Sequence, residues 1–209
     1  PQLLISILLL CGCEKDDGQR FQKNHFLACE NSEELNLKEV VENIPDDTLL
    51  SIQTYENSNQ PTHPDVLAGE NCIYMVLTPY PYYNDKVENP CLYASRDGLA
   101  FRSYRNNPLV KKPDYGYNCD PDLFYDGDHN MCIYHLQTMR PDSNILVLLK
   151  RNKEKGEFQK TKILNYRLNK GDAFIVSPSL IKKMDTDRYH LFYVNKSEKP
   201  NTIEYLKTD

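Results

Sequence analysis

Three prolines, Pro64, Pro121 and Pro178, stand 57 residues apart, and each opens the same local pattern. An aliphatic residue follows two positions on (Val66, Leu123, Leu180), then a polar turn, then a tyrosine-bearing apolar run: CIYMVL from 72, CIYHL from 132 and RYHLFYV from 188. A further segment follows each time, PCLYASRDG from 90, NILVLLKRN from 144 and NTIEYLKTD from 201. A fixed period of several tens of residues marks a supersecondary unit that cannot bury its hydrophobic surface alone. Three copies of one unit are expected, the last incomplete.

Length and residue type decide what the unit is. The apolar runs are short, rich in Val, Ile, Leu, Tyr and Phe, and bounded by Asp, Gly, Asn and Pro, which predicts strands joined by hairpin turns rather than helices. GDHN from 127 and MDTD from 184 are the turn candidates, and LAFRSY (99–104) and EFQKTKIL (157–164) supply a fourth strand per unit. The predicted class is all-β: a β-propeller of four-stranded antiparallel blades. The alternative is a β-sandwich whose spacing coincides. From Pro64 to Asp209 there are 146 residues, about two and a half periods, whereas propellers close with about four blades or more. Residues 60–209 therefore read as a partial propeller domain, truncated at its C-terminus, in a chain that also begins without methionine.

The N-terminus bears on compartment. LLISILLLCGC is an apolar stretch too short to span a bilayer, which reads as the core of an export signal over residues 1–13. Its LCGC resembles the lipobox of bacterial lipoproteins; that resemblance implies cleavage before Cys13, acylation of that cysteine, and an exported protein tied to the bacterial outer membrane by its lipid alone. Residues 14–59 are polar and read as a spacer, with one helix candidate at SEELNLKEVVENI. Cys29, Cys72, Cys91, Cys119 and Cys132 remain beyond Cys13, an odd number, and none has zinc-ligand spacing; buried small residues are the expectation. No metal and no cofactor is expected. A net charge of −5 with both signs interspersed argues against a nucleic-acid partner.

Chemistry is expected where polar groups converge. In a blade the first strand lies nearest the axis, so its opening residues gather around one mouth of the central funnel. These are His63 and Asp65, Asp120 and Asp122, and Ser177 and Ser179, each pair placed on one side by the pleat. The loops after the second strands (78–90, 137–144 and 195–201) return to the same mouth and bring Tyr80, Tyr82, Tyr83, Asp85, Glu88 and Arg140. Asp120, His63 and Asp65 are the catalytic candidates; Asp122, Glu88, Arg140, Tyr80, Tyr82 and Asp85 are the binding candidates. Carboxylates, a histidine, an arginine and tyrosines at one mouth suit a carbohydrate partner, and hydrolysis of a glycosidic bond needs two carboxyl groups flanking it. A histidine suits a base role, since imidazoles ordinarily titrate near neutrality.

THPDVLAGENCIYMVLTPYP, ENPCLYASRDG and CDPDLFYD resemble the blade motifs of five-bladed propeller glycoside hydrolases, chiefly family 43 with its arabinanases and xylosidases. The resemblance covers residues 60–209. It implies five blades, hydrolysis with inversion, an aspartate base on the first blade, a second aspartate that tunes its surroundings, and a glutamate acid. Here His63-Pro64 stands where the first blade would carry Asp-Pro, Asp120-Pro121 matches the second aspartate's motif one blade later, and the glutamate would fall after residue 209. Two readings follow: an exported glycoside hydrolase, or a non-catalytic propeller that binds glycan or protein through the same mouth.

Overall fold

The computed structural model describes residues 29–139, 143–152, 155–166, 175–182, 188–196 and 200–207. The lipobox with Cys13, Arg140 and the whole of the 184 turn lie outside the described residues. A short helix, α1 (Leu37–Asn43), falls within the predicted segment; Asn36 caps it by accepting a hydrogen bond from the Glu39 amide at 3.3 Å. Apart from two short 3-10 turns, everything regular after it among the described residues is strand.

Three antiparallel sheets follow in chain order. The first is β1 (Pro61–Ala68), β2 (Ile73–Pro79), β3 (Cys91–Ser95) and β4 (Arg102–Ser103); the second is β5 (Tyr117–Tyr125), β6 (Met131–Met139), β7 (Ser143–Arg151) and β8 (Phe158–Tyr166). The third has three strands among the described residues, β9 (Ile175–Lys182), β10 (Tyr189–Asn195) and β11 (Thr202–Lys207). Each sheet is a meander whose neighbours in sequence are neighbours in space, and β1 packs on β5 as β5 packs on β9. The sheets are propeller blades, and the fourth strand of the first is shorter than LAFRSY suggested.

The second sheet is buried on both faces, which explains its unbroken apolar strands. Along β6 the pleat sends Ile133 toward the first sheet, where it meets Val76, Leu92, Leu123, Val147 and Leu149. It sends Tyr134 the other way, onto Leu146, Leu180, Tyr189 and Leu191. The outer face of the first sheet is covered from the N-terminal side: Ile52 joins Met75, Leu77, Cys91 and Tyr93. Part of the polar segment before residue 60 is thus packed on the first blade rather than running free. It is also tied down, to the first blade through Cys72 and to the second through Arg151. Cys29 is disulfide-bonded to Cys72 and Glu30 pairs with Arg151, so the expectation that these cysteines are merely buried small residues is corrected for Cys29 and Cys72. Cys91, Cys119 and Cys132 are buried and not disulfide-bonded.

The three repeated prolines occupy equivalent places. Each follows a residue in the left-handed region, His63 (φ 49°), Asp120 (φ 48°) and Ser177 (φ 49°), a conformation uncommon for residues with a Cβ. Each sits at a break in strand register, between Thr62 and Asp65, between Cys119 and Asp122, and opposite Phe192 and Val194. These are β-bulges, which re-aim a side chain by inserting a residue into one strand.

Candidate functional site

The bulges decide which side chains reach the mouth. A pocket of about 420 Å³ opens among all three sheets, lined by His63, Tyr80, Glu88, Tyr117, Cys119, Asp120, Val176, Ser177, Val194 and Lys196. His63 comes from β1, Asp120 from β5 and Ser177 from β9, at the same step of each blade. Glu88 arrives on the loop after β2, which two 3-10 turns (Pro81–Tyr83 and Asp85–Val87) fold back toward the axis. The Asn118 amide donates to the Glu88 carbonyl and pins that loop to the second blade.

Three of these groups meet. His63 Nδ1 lies 3.2 Å from Asp120 Oδ1 and 3.7 Å from Glu88 Oε1. The Asp120 carboxylate is fixed from the far side by the third blade, whose Ser177 amide donates to Oδ2 at 2.7 Å. Glu88 is 3% exposed, with the Thr78 hydroxyl at 3.5 Å. Burial, and then the charge of Asp120, push its carboxyl up to about 8, so it holds a proton at neutral pH. Burial likewise raises the Cys119 thiol well above its ordinary range, which leaves it a poor nucleophile.

The other expected site residues are placed elsewhere. Asp65 and Asp122 do not line the mouth: the inserted bulge residue breaks the rule that positions two apart share a side. Asp65 accepts from the Leu123 amide at 2.7 Å across the seam between the first two blades. Asp122 hydrogen-bonds Asp65 and the hydroxyl of Tyr134, and burial followed by the neighbouring Asp65 pushes its carboxyl up to about 7. Tyr80 lines the pocket as expected, whereas Tyr82 and Tyr83 stand out from the loop, 85% and 87% exposed. Asp85 starts the second 3-10 turn, outside the pocket lining, and its charge acts on Glu88. Ser179, expected beside Ser177, is exposed and outside the pocket lining. Among the described residues no group of three or more His, Cys, Asp or Glu side chains is arranged to hold a metal ion. Five pocket residues were not among those expected at the mouth: Cys119, Val176 and Val194 from the strands, Tyr117, three residues ahead of Asp120, and Lys196, in a loop noted only as a loop.

No family model and no curated protein matches the sequence. Solved structures do share the fold. An N-acetylgalactosamine deacetylase from F. plautii, in complex with blood group B trisaccharide, superposes with TM-score 0.61 and 18% identity, over 77% of this chain and 54% of that one. The Bombyx mori GH32 β-fructofuranosidase gives TM-score 0.53 and 14% identity over 70% of this chain and 33% of that one. The endo-arabinase from Bacteroides thetaiotaomicron gives 0.51 and 12% over 69% and 55%. The chain spans a third to about half the length of these proteins. At such identities the likeness establishes the fold alone, a β-propeller, and leaves the chemistry to the site.

Proposed function

We propose that this chain is part of an exported, carbohydrate-active propeller that takes an oligosaccharide at its axial mouth and hydrolyses it. The carrying observation is the meeting of His63, Glu88 and Asp120, from two blades, around one imidazole nitrogen on the wall of a 420 Å³ pocket. Tyr80 and Tyr117 on the pocket wall offer faces on which the apolar side of a sugar ring can stack. The names of the structural neighbours point the same way, toward proteins of oligosaccharide and polysaccharide chemistry.

In this reading the bond broken is glycosidic and water attacks with inversion. Inversion needs carboxyl groups on opposite sides of the bond, roughly 6.5–9.5 Å apart. Glu88 and Asp120 both face His63 Nδ1 from one wall, so neither is opposed to the other, and the opposed carboxyl belongs to a facing blade. A second reading, a propeller that binds glycan or protein without turning it over, is favoured by one observation: the first-blade position where the resembled family carries its aspartate base is His63.

The export part of the proposal rests on the lipobox-like LCGC and on the Cys29–Cys72 disulfide, since such bonds persist in oxidising compartments. Mass spectrometry of the N-terminal peptide tests it: acylated Cys13 is expected, and an unmodified Cys13 in membrane fractions removes the anchor. For the activity, the full-length protein is offered a panel of plant and host glycans, N-acetylated ones included, with sugar and acetate release both followed. Turnover that Asp120→Asn abolishes with binding retained is the expected result. Binding without turnover in the wild type selects the second reading, and neither binding nor turnover sinks both.

A further inference from the structure

We propose that Asp120 is a positioning residue that locks His63 in the tautomer with hydrogen on Nδ1, leaving Nε2 as the proton acceptor that works in the pocket. The inference rests on the carbohydrate-active reading for what the acceptor acts upon, but the lock itself is a property of the unliganded protein.

Three contacts carry it. An ionised carboxylate can only attract a hydrogen, so at the 3.2 Å ion-pair separation of His63 Nδ1 from Asp120 Oδ1, which is not aligned as a hydrogen bond, the electrostatically favoured tautomer is the one with hydrogen on Nδ1. The second Asp120 oxygen is already committed to the Ser177 amide at 2.7 Å. The carboxylate is therefore a strut between the first and third blades, and its free oxygen has one direction left. On His63 itself, the left-handed backbone at the bulge turns the ring toward the mouth, where the side chain is 42% exposed. With Nδ1 facing both carboxyls, Nε2 is across the ring from them.

Glu88 does not compete for the same hydrogen at neutral pH. Its nearer oxygen is 3.7 Å from Nδ1, beyond hydrogen-bond reach, and its carboxyl keeps its own proton. The other titratable groups around Glu88 and Asp120 are Asp85, Tyr80, Tyr117 and Cys119, with Lys196 among the pocket-lining residues from the third blade. The step this arrangement supports is one proton transfer. A water O–H bond breaks as an Nε2–H bond forms, the water oxygen keeps the electron pair, and the imidazolium so made lies against ionised Asp120. A third group that orients a base by fixing its tautomer is a recurring catalytic device.

The test is long-range nitrogen–proton NMR on the full-length chain labelled with 15N histidine at pH 7, without ligand. Five histidines are present, so His63→Gln assigns the signal. The expected spectrum has His63 protonated at Nδ1 and bare at Nε2; a wild-type His63 with its hydrogen on Nε2 overturns the proposal with no variant needed. Asp120→Asn keeps an oxygen for the Ser177 amide but turns an N–H toward Nδ1, so His63 is expected to move its hydrogen to Nε2. Glu88→Gln, which imitates the neutral acid, is expected to leave the tautomer unchanged, and a switch there reassigns the lock to Glu88. On any glycan that responds, Asp120→Asn should lower turnover about 100-fold or more with KM little changed. The locked tautomer without activity on any glycan removes the hydrolase reading and leaves the lock standing.

Discussion

The two seams of this propeller meet the same demand with different chemistry. Leu123 and Leu180 hold the same place in successive blades, two residues after the repeated proline, and each presents a backbone N–H to the blade before it. At the first seam a carboxylate answers directly, Asp65 accepting from Leu123 at 2.7 Å. At the second the acceptor is a hydroxyl: Tyr134 accepts from Leu180 at 2.9 Å and sets its own hydrogen between the Pro178 carbonyl and Asp122. Asp122, bonded to Asp65, joins the two seams into one line of hydrogen bonds across three blades. What repeats is therefore the requirement that a buried N–H be met, not the residue that meets it.

The seams should break unequally. Tyr134→Phe keeps the packing on Leu180 and Leu191 but strands the buried Leu180 N–H and the Pro178 carbonyl together. A loss of about 3 kcal/mol is expected in urea denaturation, since each stranded group costs about 1–3 kcal/mol. Asp65→Ala strands the Leu123 N–H and takes a hydrogen-bond partner from Asp122, but it also removes the charge that crowds Asp122, which offsets part of the loss, so about 1 kcal/mol is expected. Equal losses would mean that the two seams are equivalent after all.

The same contrast explains what could be read from the sequence. Pro64, Pro121 and Pro178 announced the blades because a repeated backbone irregularity needs a repeated residue, and the strands followed from their β-branched and aromatic runs. The mouth was legible to the extent that His63 and Asp120 precede those prolines. Strict alternation puts Asp65 and Asp122 at the mouth, and the repeated proline marks an irregularity there without saying that it is a bulge, which ends the alternation. Glu88 was named for the loop it sits on, but its burial depends on Asn118 docking that loop. The Cys29–Cys72 bond depends on how the segment before β1 lies over the first blade, which no local pattern encodes.

The line between the seams also sets a pH dependence. Asp122 is raised from an ordinary value near 4 to about 7, chiefly by burial and then by Asp65. Between those values the native state keeps a proton that the unfolded chain has released, so this contribution to stability is full below about pH 4 and declines as pH rises toward 7. Glu88 acts in the same direction, up to about pH 8. Asp126 acts oppositely at the acid end: burial, which would raise it, is outweighed by the Lys150 ammonium and Asn130, and its carboxyl is held down at about 2. Its contribution is lost as pH falls from about 4 toward 2. The melting temperature should therefore be highest in weak acid and decline from pH 5 to 8. Asp122→Asn, which carries the shape of the neutral acid, should flatten that decline. A wild-type melting temperature that rises over the same range would remove the retained proton.

The smallest effect separates acceptor from charge at the first seam. Asp65→Asn retains an oxygen for the Leu123 N–H, so the ladder between the first two blades stays whole, and stability at pH 5 should change by no more than about 0.5 kcal/mol. Its new amide N–H can donate to the Asp122 carboxyl, which then needs a proton less. Part of the decline between pH 5 and 8 should vanish with it, although the substituted residue is not the one that titrates. The decisive comparison is of the two pH slopes: Asp65→Asn between wild type and Asp122→Asn places both carboxyls in one shared site. If Asp65→Asn leaves the slope at its wild-type value, Asp122 retains its proton through burial alone, and the two seams are joined in space without being joined in energy.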